Sequence, residues 1–317
     1  MNLNNLHPIE RASFSGTFRL TGRVASFDDS GIPYLKIRLS NCTHDYVVLA
    51  VIESLDIPEK LGHMELIAVQ GRHYASLDGD VILLNKMRRP LQREVIKLPA
   101  LQTLPRLSCP KPEALDHLVN AVRSLQFTAL QVFIKLVLER RRNLEVFLKA
   151  PASKNHHHNK EGGLLEHSLE VAQNVLSMIK ANEPEMPRAL QEVGFVAGLL
   201  HDIGKTYTYD IHGKPTAAAQ LCDHSDFTLE ACANGLAYLD QVDPEAAMTL
   251  RHIWTCASPG ARYGTTPAMT LARYVRDADG QSAMADNQRI AYRNRPATGF
   301  GRLGKNVYWM PSTQAYG

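Results

Sequence analysis

The apolar residues of this 317-residue chain change period once, and that change limits the folds open to it. Up to about Arg89 they alternate in short runs: "FSGTFRLTGRVASF", "YLKIRLS", "DYVVLAVI", and "MELIAVQGRHYASLDGDVILLNKMRRP" around a turn at "LDGD". Such alternation puts one face of each strand into a core and the other into water, with hairpins between. The stretch "LQREVIKLPALQTLPRLSCPKPEAL" follows with four prolines and reads as an extended linker. Beyond it the spacing becomes helical. Helices are predicted over 113–124, 129–141, 144–149, 164–180, 187–202, 225–239, 244–256 and 266–288.

The predicted fold is therefore α+β in two domains. Residues 1–95 form a five-stranded β-barrel, with an OB-like barrel the economical choice and an SH3-like one the alternative. Residues 96–112 are the linker, 113–288 an all-helical domain, and 289–317 a basic, aromatic tail. On the barrel, Tyr34, Lys36 and Arg38 alternate on one strand, and Arg72 and Tyr74 on another. Aromatic and cationic pairs of this kind stack bases and meet phosphates, or else form an ordinary solvated strand face.

Composition narrows the class. At 44% hydrophobic residues the chain can bury cores, and it has no apolar run of about 18 residues. Its start lacks a signal-peptide pattern, so a cytoplasmic protein without a membrane partner is expected, its oligomeric state left open. Five scattered cysteines without CxxC spacing read as reduced thiols. The net charge of +3 conceals an asymmetry: residues 155–288 hold 9 Lys/Arg against 17 Asp/Glu, and residues 106–154 hold 9 against 4. From Arg289 onward there are 5 basic residues and no acidic one. Acidic groups gather where cations are held and basic ones where phosphates are met.

The chemistry concentrates in three places. "PASKNHHHNKEGGLLEHSLEVA" puts His167 in the first turn of a helix, after a triple histidine, His156, His157 and His158, and a Gly-Gly pair. "VGFVAGLLHDIGK" ends a strongly apolar run on His201 and Asp202, a costly burial that a divalent cation would offset. "LARYVRDADGQSAMA" offers Asp277 and Asp279. Imidazole and carboxylate donors together suit Mn²⁺ or Fe²⁺, and carboxylates with water suit Mg²⁺. Lys205 lies within reach of a phosphate, or else simply sits at a helix end, where Gly204 stops the helix. The three histidines flank the site as backbone-contacting or proton-transferring groups, or else as a polar loop.

The pattern "H…HD…D", with "LLHDIGK" and "ADGQSA", resembles the HD-domain metal-dependent phosphohydrolase superfamily. That resemblance maps the ligands onto His167, His201, Asp202 and Asp279, and makes residues 113–288 an HD domain. The first segment is similar to the TraI-type HD domain of MobH conjugative relaxases. A barrel followed by an HD domain looks like the YhaM-type 3'-to-5' exonucleases, a likeness that the domain order favours. For a second metal the resemblance points to His224 and His252, while the later His-His pair is replaced by Cys256–Ser258. It implies one secure metal, Mn²⁺ first and Mg²⁺ or Fe²⁺ otherwise, and single-stranded DNA or RNA as partner. Arg140, Arg141 and Arg142 in "ERRRN" join the barrel face as phosphate contacts. The alternatives are a relaxase-like nicking protein, a binding module with a decayed HD site, and a small-nucleotide phosphohydrolase.

Overall fold

The structure is a computed structural model that describes residues 3, 6–58, 60–75, 79–153, 158–257, 264–293, 296 and 298–312, with the strand at 7–12 described by its backbone. The chain divides into two compact units, 1–123 and 124–317.

In the first unit, β1 (His7–Phe27), β2 (Pro33–Ser40), β3 (Asp45–Val51), β4 (Leu66–Ala75) and β5 (Val81–Arg88) close into a barrel of order β1-β2-β3-β5-β4. The first strand is long enough to serve two neighbours. Its first half pairs with β4, from His7↔Ala75 to Arg19↔Leu66, and its second half with β2, through the Leu20/Gly22 bulge to Phe27↔Pro33. Closure comes from a short parallel pairing, Val48↔Ile82 and Leu49↔Leu83. Alternate residues turn inward, so Phe14, Phe18, Ile37, Leu39, Val48 and Ile67 fill the interior.

The expected linker is not one. Leu101 and Leu104 are buried, Gln102 O accepts from Cys42 N–H, Asn41 O accepts from Arg106 N–H, and Thr103 O accepts from the buried guanidinium of Arg19. The segment runs through turns and a short 3-10 helix, Arg106–Ser108, and its buried leucines give it a reason to stay in the barrel unit. With α1 (Gln92–Lys97) and α2 (Pro112–Arg123) it completes that unit. The division thus falls after Arg123 rather than at residue 112.

The second unit is helical: α3 (Thr128–Leu138), α4 (Arg141–Lys149), α5 (Gly163–Asn182), α6 (Arg188–Leu200), the short α7 (Lys205–Thr208) and α8 (Ala218–Leu221), α9 (Thr228–Val242), α10 (Pro244–Thr255) and α11 (Thr270–Tyr292). The helix expected to run to residue 141 stops at Leu138, because Arg140 is extended and starts α4. Asn143 stabilises this break. Its buried amide donates to Val137 O (2.9 Å) and Ala231 O (3.1 Å), and its carbonyl accepts from Thr206 Oγ1 (3.1 Å). The basic tail contains a hairpin, β6 (Gly299–Leu303) with β7 (Asn306–Met310), which packs Gly301 onto the Tyr292 ring. No described helix is long and apolar enough to cross a membrane.

Candidate metal centre

Three helices deliver the centre. Burial of the Val193–Leu200 run carries His201 and Asp202 to the foot of α6, α5 contributes the fully buried His167 from its first turn, and α11 contributes Asp279. Ligand atoms of His167, His201 and Asp202 lie within 4.8 Å of one another. His167 Nε2 is 3.5 Å from Asp202 Oδ2 and 3.2 Å from Asp279 Oδ1; His201 Nε2 is 3.5 Å and 3.6 Å from the same two oxygens.

Those spacings lie at, or a few tenths of an ångström above, what a shared cation requires. Donors held at about 2.0–2.1 Å around one divalent ion stand about 3.0–3.4 Å from each other. His201 Nδ1 lies 2.7 Å from Gly198 O, a carbonyl that can only accept, so the ring carries its proton there. Its Nε2, the nitrogen left to ligate, is buried, faces Asp202 and Asp279 and has no hydrogen bond. The donor set therefore suits a divalent metal.

The charges agree. Burial works against ionisation of Asp202, yet His201 and the Lys205 ammonium outweigh it and hold the carboxyl well below the usual range. Asp279 is also held low, against burial, by His167 and His201. The His201 pKa is raised: burial pulls it down, and Asp202 and Asp279 push it further up.

Lys205 is largely buried and ion-paired to Asp202 Oδ2. His224 Nε2 reaches the other oxygen, Oδ1, at 2.9 Å. His252 is engaged elsewhere, its Nε2 accepting from Ala268 N–H at 2.9 Å, while its neighbours Ile253, Trp254 and Thr255 line the cleft. It is therefore a structural acceptor rather than a ligand. His158 stands beside the centre, its ring 5.5 Å from that of His167, whereas His156, His157 and Ser258 lie outside the described residues.

The expected phosphate contacts divide. Arg142 lies 3.6 Å over the Tyr207 ring, and Arg140 reaches Tyr207 Oη and Glu230 O, so both brace the fold; Arg141 is exposed. On the barrel, Lys36 and Arg38 are exposed opposite Val24 and Gly22, while Arg72 pairs with Ser13 and Tyr74 with Pro8. Nine residues of β1 separate Ser13 from Gly22, about 30 Å of strand. The two sets are separate patches.

The centre opens into a cleft of about 610 Å³ lined by His201, Asp202, His224, Trp254, Arg276 and Asp279, among others. A second cavity of about 350 Å³, with Lys205, Tyr209, Gln220 and Cys222 on its walls, shares His224 with it. Arg276 was not anticipated. Its Nη2 donates to Ala257 O at 3.0 Å, and no described carboxylate is within ion-pair distance, so a cation faces the cleft. Its place one helical turn before Asp279 was the signal.

Gly204 admits the His224 turn. A Cβ there would lie 1.9 Å from His224 O and 3.0 Å from Thr228 N, backbone atoms that cannot step aside. Gly204→Ala is expected to destabilise the protein by about 1–3 kcal/mol and to cut turnover by moving His224 off Asp202. Thermal unfolding and kcat measured together check it.

Comparison with known proteins agrees with this geometry. The family model described as "HD domain" matches residues 164–284, and TraI_2, described as "Putative helicase", matches residues 106–217. A curated protein of Methanocaldococcus jannaschii, dihydroneopterin 2',3'-cyclic phosphate phosphodiesterase, is 44% identical over 62 residues, which are 19% of this chain and 25% of that protein. The chain thus spans about a quarter of the length of this relative. The buried His-Asp cluster of this chain lies within residues 164–284, the segment that matches the HD-domain model, and together with the phosphodiesterase relative this supports a metal-dependent phosphohydrolase.

Proposed function

We propose that this protein is a metal-dependent phosphodiesterase acting on single-stranded nucleic acid, removing nucleotides from the 3' end. The observation that carries the phosphodiesterase reading is the convergence of the buried His167 with His201, Asp202 and Asp279, the last three at the wall of an open cleft. These four residues would hold the ion, with Mn²⁺ favoured and Mg²⁺ or Fe²⁺ also compatible with the donors. When bound, the ion supplies Lewis acidity toward a phosphate oxygen and lowers the pKa of water. Arg276 presents its guanidinium to the phosphate in the same cleft, and His224 and Lys205 hold Asp202 ionised and oriented.

Support for a polymer comes from each unit separately. In the helical unit, Phe300 and Trp309 pack 4.6 Å apart on the outer face of the hairpin, both exposed, with Arg302 on the same face. Exposed aromatics beside a cation are how sequence-tolerant proteins hold unpaired bases. In the barrel unit, the closed order β1-β2-β3-β5-β4 with its shared first strand supports the OB-like reading. Exposed Val24 on β1 lies opposite Lys36, and exposed Val47 on β3 opposite Arg38, on the strand face that also carries Tyr34. A second reading, a small cyclic-phosphate hydrolase, is favoured by the relative's printed activity and by the separate cavity beside Lys205.

The test is one assay. End-labelled single-stranded DNA and RNA and 2',3'-cyclic nucleotides are incubated with Mn²⁺, Mg²⁺ or chelator, using intact protein and His201→Ala. The expected result is a metal-dependent ladder shortening from the 3' end, absent in the variant. Turnover of cyclic nucleotides alone establishes the second reading. A single nick points to a relaxase-like enzyme, and binding without product to a non-catalytic module.

A further inference from the structure

We propose that Ser282, Glu170 and His158 form a positioning relay that fixes the tautomer of His167 and thereby the metal affinity of the centre. His167 Nδ1 lies 3.0 Å from Ser282 Oγ, a buried hydroxyl one turn beyond Asp279 on α11. Glu170 sits one turn beyond His167 on α5, near enough to Ser282 for the hydroxyl to help hold its carboxyl below the usual range. An imidazole that ligates through Nε2 carries its proton on Nδ1, so Ser282 Oγ accepts from His167 Nδ1–H, and its own proton is free to turn toward the Glu170 carboxylate. The imidazole lone pair is left on Nε2, the atom that faces Asp202 and Asp279.

His158 anchors the far end. Its Nε2 is 3.1 Å from Glu170 Oε2, and its backbone is held on both sides: the N–H donates to Asp286 Oδ2 at 2.8 Å, and the carbonyl accepts from Ala152 N–H at 2.9 Å. The residue takes the left-handed φ of 47°. Gly163 makes room for it, since a Cβ there would lie 2.0 Å from His158 O. The Glu170 carboxyl is held below its usual range first by His158, against burial, with Ser282 adding to the effect. The last histidine of the triple run and the second glycine of "GG" thus serve the same carboxylate. Groups that orient a ligating imidazole in this way typically contribute about 10–100-fold to metal affinity.

The inference rests on His167 being a ligand, and the experiment separates the two. Mn²⁺ affinity of the full chain is measured by chelator competition, and the His167 Nδ1–H is observed by NMR in metal-free protein. Ser282→Ala is expected to weaken Mn²⁺ binding by about 10–100-fold and to lose the slowly exchanging imidazole proton, with Ser282→Thr restoring both. Should Ser282→Ala fail to fold, Glu170→Ala and His158→Phe, at less buried positions, are expected to lower affinity in the same direction. Unchanged affinity across these variants overturns the relay while leaving the centre intact. An intact protein that binds no Mn²⁺ overturns the ligand reading and the relay with it.

Discussion

Asp202→Ala is expected to abolish turnover, by at least about a thousandfold, and to lower stability as well. Both effects follow from the number of groups that share this carboxylate. Its Oδ2 faces His167, His201 and the Lys205 ammonium, and its Oδ1 meets His224. Removing the anion leaves a buried ammonium uncompensated, a loss of about 3–5 kcal/mol. The two losses are separable. Asp202→Ala with Lys205→Met removes the unpaired charge, so the double variant is expected to recover much of the stability and none of the turnover. Denaturant unfolding and metal-supported phosphodiester hydrolysis, run on the same preparations, check this. Retention of turnover by Asp202→Ala would end the metal-centre account.

Glu192→Ala is expected to destabilise the helical unit by about 2–4 kcal/mol. Glu192 is 2% exposed, and its two oxygens accept from Gln126 N–H (3.0 Å) and Phe127 N–H (2.9 Å) at the start of α3, with Arg188 Nε at 2.9 Å. Phe127 gives α3 no side-chain cap of its own. The cap comes instead from α6, and its loss leaves two donors without an acceptor. Burial pushes the Glu192 pKa up, but the two backbone donors and Arg188 bring it below the usual carboxylate value. A depressed folded pKa means stability that is present above the unfolded value and lost as pH falls through the folded one. Intact protein and Glu192→Gln should therefore converge in stability as the solution is acidified. A difference that persists in acid would show that the charge contributes nothing.

Helices with a strong apolar period were legible in the sequence, because each buries one face: 164–180 was expected where Gly163–Asn182 is found, and 244–256 where Pro244–Thr255 is found. Boundaries set by a distant partner were not. The stop after Leu138 depends on Asn143 finding Ala231 O, which no local pattern announces. The proline-rich segment read as a linker because prolines mark extended chain, while the burial of Leu101 and Leu104 depends on a surface supplied from elsewhere in the unit. In the site, His167, His201, Asp202 and Asp279 were legible through their motif. Glu170, Ser282 and Arg276 were not, since a single polar residue on a helix does not reveal what it faces. His252 looked like a ligand for the same reason, and it found a backbone N–H instead.

The amide of Asn143 also bears on how the helical unit forms. Its partners lie 6, 63 and 88 residues away along the chain. A growing polypeptide cannot satisfy that side chain until α9 has emerged, so the turn after His201-Asp202 and the break before α4 must lock in one late, concerted step. Amide hydrogens of Lys205–Thr208 should then exchange with solvent only through large openings of the unit, tying the lifetime of the catalytic geometry to that of the whole helical body.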